Sequence, residues 1–165
     1  MNIKQLMHRI LNGIKVDLKD EFDRNFVRKG FFNEPWRDTK HENPIGSLMM
    51  RSGDLRRGME ADIESGESIR FTNSMPYARI HNEGGETHPR ITPKMRAWAW
   101  AQYKDTQDAM YKGIALSKKD TLTVKIPQRQ FIGEHPEVHR IIQENVDEHL
   151  QEALKALFDD VQRTP

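Results

Sequence analysis

Seven histidines in a chain with no cysteine pose the first chemical question. His135 and His139 lie four residues apart with Glu137 between them, so a helix that has already begun there places both imidazoles on one face. That order is not the His-Glu-x-x-His of zinc proteases, and spacing fixes no third ligand. His81 and His88 bracket Gly84-Gly85 together with Glu83 and Glu86. Those residue types could build an acid–base or metal cluster, against the plainer reading of exposed loop side chains in polar surroundings. No serine sits in a nucleophile elbow, and no carboxylate pair stands out among 25 acidic residues. The expectation is a protein that is not an enzyme, with no catalytic, cofactor-binding or metal residues and no cofactor.

The arginines are the second source of chemistry. Arg51, Arg56 and Arg57 form the main local basic cluster, within Leu48-Met49-Met50-Arg51-Ser52-Gly53-Asp54-Leu55-Arg56-Arg57-Gly58-Met59. Guanidinium groups pair with phosphate in a fork, but three arginines around an aspartate equally suit a solvated face or a salt-bridged subunit surface. Ser52-Gly53 is no nucleotide loop, because the glycine spacing and the phosphate-reaching lysine are missing. Arg129 lies in Ile126-Pro127-Gln128-Arg129-Gln130-Phe131-Ile132-Gly133, which reads as a corner from strand to helix: proline ends the strand and Phe131-Ile132 plug the core. Arg129 must there pair locally or face a partner. Two aromatics join the candidates. Trp36 either clamps its loop to the core or anchors a partner, and Trp100 lies to the side of a packed helix face. Arg51, Arg56, Arg57, Arg129, Trp36 and Trp100 are therefore the candidate interface residues.

Positioning these groups requires a scaffold that hydrophobic periodicity outlines. Leu6, Met7, Ile10, Ile14, Leu18, Phe22 and Phe26 recur every three or four residues, predicting a helix from Ile3 to Arg28 that Gly13 weakens and Gly30 ends. Its 1.5 Å rise per residue makes a rod of roughly 40 Å. Residues 31–44 read as loop and 48–59 as a short helix or turn-helix, with Ser52 or Asp54 available as a cap. Ile69-Arg70-Phe71-Thr72 alternates as a strand half-buried on one face. Tyr77, Arg79 and His81 alternate against Ala78, Ile80 and Asn82, predicting a second strand hairpinned to the first and broken at Gly84-Gly85. Thr92 caps a helix with Pro93 at its first position, and Met95, Trp98, Ala99 and Tyr103 fall on one face of it. Residues 110–116 continue helically after a polar break, Leu122, Val124 and Ile126 alternate as a strand, and a second long amphipathic helix begins near Pro136.

This is an α+β pattern: a small antiparallel sheet flanked by long amphipathic helices at both ends, with an extra aromatic-rich helix inserted between strands. The 165 residues are most simply one domain, with 1–30 a helical arm and 92–116 a helical insertion. Charged residues make up 31% and hydrophobic ones 36%, polar for a globular chain but rich enough in apolar side chains to fold. The formal charge of +1 gives no global attraction to nucleic acid or membrane, so any patch is local. The first third is net basic, while acidic side chains outnumber basic ones from Glu134 onward, an asymmetry suited to head-to-tail subunit packing or to ordinary charge scatter. No apolar run approaches the roughly 20 residues of a membrane span, and the amphipathic start lacks the pattern of a secretion signal, so synthesis in the cytoplasm is expected.

Three motifs recur in order: Leu48 with Ser52-Gly53-x-Leu55-Arg56; Tyr77-Ala78-x-Ile80-His81-x-x-Gly84; and Ile126-Pro127-x-Arg129-x-Phe131-Ile132-Gly133 before a closing amphipathic helix. Together they resemble the phage virion morphogenesis family, the Mu-like G and tail-completion proteins of tailed phages. Thr92-Pro93-Lys94-Met95 and the aromatic-rich helix after it look like a branch found in prophages and conjugative regions of Bacteroidetes. The resemblance covers nearly the whole chain from Phe22 onward, with 92–116 longer than in the Mu-like members. It implies a structural protein that completes the tail end or joins tail to head at the neck. Its partners would be tail-tube and head-connector proteins, and it would work as a homo-oligomeric ring, often of six subunits. It would assemble in the bacterial host cytoplasm and then reside in the virion. The stretches 37–44 and 84–90 are expected to order on assembly. The alternative is a nucleic-acid-binding module using Arg51, Arg56, Arg57 and the basic stretch from Arg90 to Arg96.

Overall fold

A computed structural model describes residues 2–39 and 46–163. The elements run α1 (Ile3–Arg28), β1 (Gly30–Phe31), β2 (Glu34–Pro35), α2 (Asp54–Arg57), β3 (Met59–Glu64), β4 (Ser68–Asn73), α3 (Ala78–Glu83), β5 (Gly85–Thr87), α4 (Pro93–Thr106), α5 (Ala109–Leu116), β6 (Val124–Ile126) and α6 (Pro136–Arg163). The fold is α+β, with long helices at both ends and, among the described residues, three small antiparallel pairs: β1–β2, β3–β4 and β5–β6.

α1 opens with a reciprocal cap: Gln5 N donates to Asn2 Oδ1 at 2.9 Å and Asn2 N to Gln5 Oε1 at 3.0 Å. It closes one residue before the glycine expected to end it. Lys29 takes the left-handed conformation (φ 57°), and Gly30 instead enters β1, where a Cβ would sit 2.6 Å from Glu34 O. Gly13, expected to weaken the helix, also has a packing role. A Cβ there would lie 2.3 Å from Asn145 Oδ1, so the missing side chain lets α6 approach. α6 runs antiparallel to α1: Asn145 Nδ2 donates to Asp17 Oδ2 at 2.7 Å, while Asn25, near the other end of α1, donates to Phe131 O just before α6 begins.

Two apolar clusters result. Ile10, Ile14, Leu18 and Phe22 of α1 pack with Phe31, Phe32, Met59, Val138 and Ile141. Farther along α1, Phe26 packs with Trp36, Leu55, Ala78 and Phe131. Phe22 meets Phe71 edge-on at 5.1 Å, which carries β4 onto the first cluster.

Sequence and structure part at the middle of the chain. The strand expected at 69–72 is β4, but its partner is β3, in the register Met59↔Asn73 to Glu64↔Ser68, not residues 77–82. Positive φ at Ser65 (53°) and Gly66 (71°) turns the ribbon, the handedness that twisted hairpins favour. Residues 78–83 form α3 instead, with Tyr77 as its N-cap: a six-residue alternation carries little periodic weight, and here tertiary hydrogen bonds decide. Residues 48–59 are helical only over α2, whose N-cap is Gly53 with no side-chain cap. Within 84–90, Gly85, Glu86 and Thr87 pair as β5 with β6. Residues 40–44 of the 37–44 stretch lie outside the described residues.

α4 and α5 form a helical hairpin carried on the β5–β6 ribbon, which is extended by hydrogen bonds from Ile91 N to Asp120 O (2.8 Å) and from Leu122 N to Pro89 O (2.9 Å). Thr92 caps α4 as its sequence predicts, accepting from Met95 N at 3.2 Å. Arg96 holds the hairpin shut: its guanidinium donates to the carbonyls of Ala115, Ser117 and Lys119 at the C-terminal end of α5, where the helix dipole favours a cation.

Candidate assembly interface

The corner at residues 127–133 organises the site. Asn82 Oδ1 on α3 accepts two backbone N–H groups from it, Phe131 at 2.9 Å and Ile132 at 3.1 Å. Arg129 N donates to His81 O at 2.8 Å. From the other side, Trp36 Nε1 donates to Gln130 O at 2.6 Å, and the fully buried Asn25 bridges Phe131 O (3.3 Å) and Phe32 N (2.9 Å). Gly84 (φ 74°) lets α3 end against the corner, since a Cβ there would meet Gln128 N at 2.9 Å. The first motif joins through Leu55, which is buried with Ala78, Trp36 and Phe131, and whose carbonyl accepts from Asn73 Nδ2 at 2.7 Å. Three motifs far apart in sequence thus converge on one cluster.

Beside that cluster opens a cleft of about 1130 Å³. Leu48, Met49 and Arg51, Tyr77 and His81 at α3, and Trp98, Gln102 and Tyr111 of the hairpin are among the residues that line it. Arg129 is 7% exposed and reaches the cleft with its Nε donating to Arg37 O at 3.0 Å. Burial pulls its pKa below the ordinary arginine value, an effect that Asp38 opposes and Arg37 reinforces. His81 Nδ1 is buried without a hydrogen-bond partner. Burial first and the Arg129 charge second hold this imidazole below its usual pKa, hence neutral at pH 7.

The candidate residues have different placements. Arg51 and Arg129 share the cleft. Arg56 pairs with Asp23 of α1 in a two-pronged contact, Nε to Oδ1 at 2.5 Å, and Arg57 grips Asp54 Oδ1 at 2.6 Å and Ser52 O at 2.8 Å. Trp36 is buried edge-on against Phe26 at 5.7 Å. Trp100 lies against Tyr103 at 5.9 Å, while Trp98, 51% exposed and 5.5 Å from Tyr111, lines the cleft. Sequence reasoning missed Trp98 by assigning it to the packed face with Ala99. Ala99 of that face has no exposure, while Trp98, about 100° around the helix from it, is left at the cleft, a difference that depends on how α5 folds back.

Of the cations named for nucleic-acid binding, Arg56, Arg57 and Arg96 are engaged within the chain. Three of the four histidines weighed as ligands are engaged as well: His88 Nδ1 lies 3.3 Å from Thr123 Oγ1, His135 stacks on Phe32 at 4.5 Å, and His139 Nε2 is 3.1 Å from Glu134. Among the described residues no group of three or more His, Asp or Glu is placed to hold a metal ion, and no helix is long and apolar enough to cross a membrane. Compared with known proteins, the chain matches the model of the phage virion morphogenesis family over residues 32–151, spanning all three motifs. No curated protein and no solved structure matches the chain.

Proposed function

The chain belongs to the phage virion morphogenesis family, and from that membership we propose that it is a structural protein that completes the tail end or joins tail to head at the neck. The observation that carries this reading is the family match across the three converging motifs. In mechanism the protein caps the last ring of the tail tube by surface complementarity, ending growth and presenting a second face to the head connector. It works as a homo-oligomeric ring, six subunits being the expected number, built in the host cytoplasm and retained in the virion. No covalent step is needed. Binding energy comes from apolar burial at the centre of each interface, and charge complementarity selects the partner. The rigid cluster of Phe26, Trp36, Leu55 and Phe131 supports that role, because it fixes one side of the cleft relative to the long helices.

Electron microscopy of an induced lysate lacking the gene tests this directly. Full heads beside unattached tails are expected, with overlong tails indicating length termination and normal ones a joining role. Intact virions would overturn the reading.

A further inference from the structure

We infer that the α4–α5 hairpin is a hinged arm, which swings as one rigid body on its two-stranded stalk and so widens and narrows the cleft. The inference goes beyond the tail-end reading and does not depend on it.

The arm is rigid in itself. Ala99 on α4 has no exposure and Ala115 on α5 is buried. The Arg96 guanidinium ties α4 to the carbonyls of Ala115, Ser117 and Lys119. Trp98 meets Tyr111 edge-on at 5.5 Å, and Lys112 Nζ lies 5.5 Å from the Tyr103 ring centre.

Nothing comparable ties the arm to the body. Among the described residues, no hydrogen bond, ion pair or ring contact joins residues 85–126 to the rest of the chain: those of the stalk, such as Lys125 to Glu86 and Thr123 to His88, stay within it. Neither apolar cluster includes a residue from this segment. A segment with few buried apolar contacts to its surroundings is the kind that moves at low cost.

The stalk supplies the hinge. It is the β5–β6 pair, three residues a side, extended by the bridge between Arg90 and Thr121. One strand starts at Gly85, at φ 144°, and the other ends before Pro127, which has no N–H to add to the ladder. A two-stranded ribbon has no third strand to stiffen it and is marginally stable alone. A change in twist of about 10° there displaces a point about 20 Å away, the length of α4, by about 4 Å. That is a side chain's width at the cleft. Its body side is fixed, since Leu48 and Met49 pack against the Phe26–Trp36 cluster, whereas Trp98, Gln102 and Tyr111 ride on the arm. An inward swing lowers the 51% exposure of Trp98.

The chain has no cysteine, so paired cysteine substitutions carry spin labels at chosen sites only. Lys4→Cys and Lys19→Cys mark α1, and Lys94→Cys and Asp105→Cys mark α4; all four positions are exposed, and circular dichroism checks folding. Pulsed electron spin resonance reads distance distributions in full-length chains diluted with unlabelled protein. The pairs within one helix, about 22 Å apart on α1 and about 16 Å on α4, are expected to be narrow. The pairs between helices, Lys19 with Asp105 and Lys4 with Lys94, are expected to be at least about twofold broader or to show two maxima. Between-helix pairs as narrow as those within a helix would overturn the inference by showing a fixed arm. An α4 pair as broad as the between-helix pairs would overturn it by showing an arm that bends rather than swings.

Discussion

Replacing Asn82 with alanine tests whether the corner at residues 127–133 is held by α3. Asn82 Oδ1 accepts from two successive backbone N–H groups, at 2.9 Å from Phe131 and 3.1 Å from Ile132. Phe131 is 1% exposed, so truncation leaves its amide with little access to water. Each amide deprived of its partner costs about 1–3 kcal/mol. Solvent reaching the half-buried Ile132 amide lowers the second cost, and the combined loss is about 2–4 kcal/mol. At about 2–4 °C per kcal/mol for a chain of this size, Tm falls by about 4–16 °C. Asn82→Asp keeps the accepting oxygen and isolates the cause, so it should retain most of the stability at neutral pH. Urea unfolding followed by circular dichroism reads both variants, with m-values compared to confirm that the unfolded state is unchanged. If Asn82→Ala stays within 0.5 kcal/mol of the wild type (on the order of a surface substitution), or if aspartate is as damaging as alanine, the hydrogen bonds do not hold the corner.

Three further outcomes follow from the same geometry. Gly84→Ala, at φ 74° with Gln128 N in the path of the new Cβ, should cost about 1–3 kcal/mol in the same assay. His81 is held below its unfolded pKa, so the unfolded chain binds its proton first. The stability its neutral form contributes is complete above about pH 6.5 and declines as pH falls from there toward the depressed folded value, and His81→Gln should flatten that part of a stability–pH profile. Arg56→Ala should cost no more than about 1 kcal/mol despite its two-pronged contact with Asp23, because both side chains are more than a third exposed; an Arg56–Asp23 double-mutant cycle measures the coupling.

Much of this architecture is legible in the residues. The stripe from Leu6 to Phe26 is long enough for its 3.6-residue period to dominate, and α1 has the bounds it implies. Thr92-Pro93 and Pro136 mark helix starts through local chemistry that needs no tertiary partner. α3 is different in kind. Six residues give a period little room to declare itself, only Ala78 is buried, and the helix is fixed by what Asn82 and the His81 carbonyl do for a segment nearly fifty residues away. β3 escaped notice although Met59, Ala61 and Ile63 alternate with Glu60, Asp62 and Glu64, because its start overlaps the helical reading of residues 48–59. At the site, the corner was recognisable as a corner. That Arg51 and Arg129 share a cleft with Trp98, while Arg56 and Arg57 turn to nearby carboxylates, depends on pairings that sequence spacing does not encode.

The proposed role puts the chain at one place in the particle, the end of the tail where it meets the head. Gold-labelled antibody against this chain, applied to purified virions and viewed by electron microscopy, tests it most directly. Label is expected at the head–tail junction, with heads and tail tubes bare. Label along the length of the tube, or particles that carry none, would contradict it.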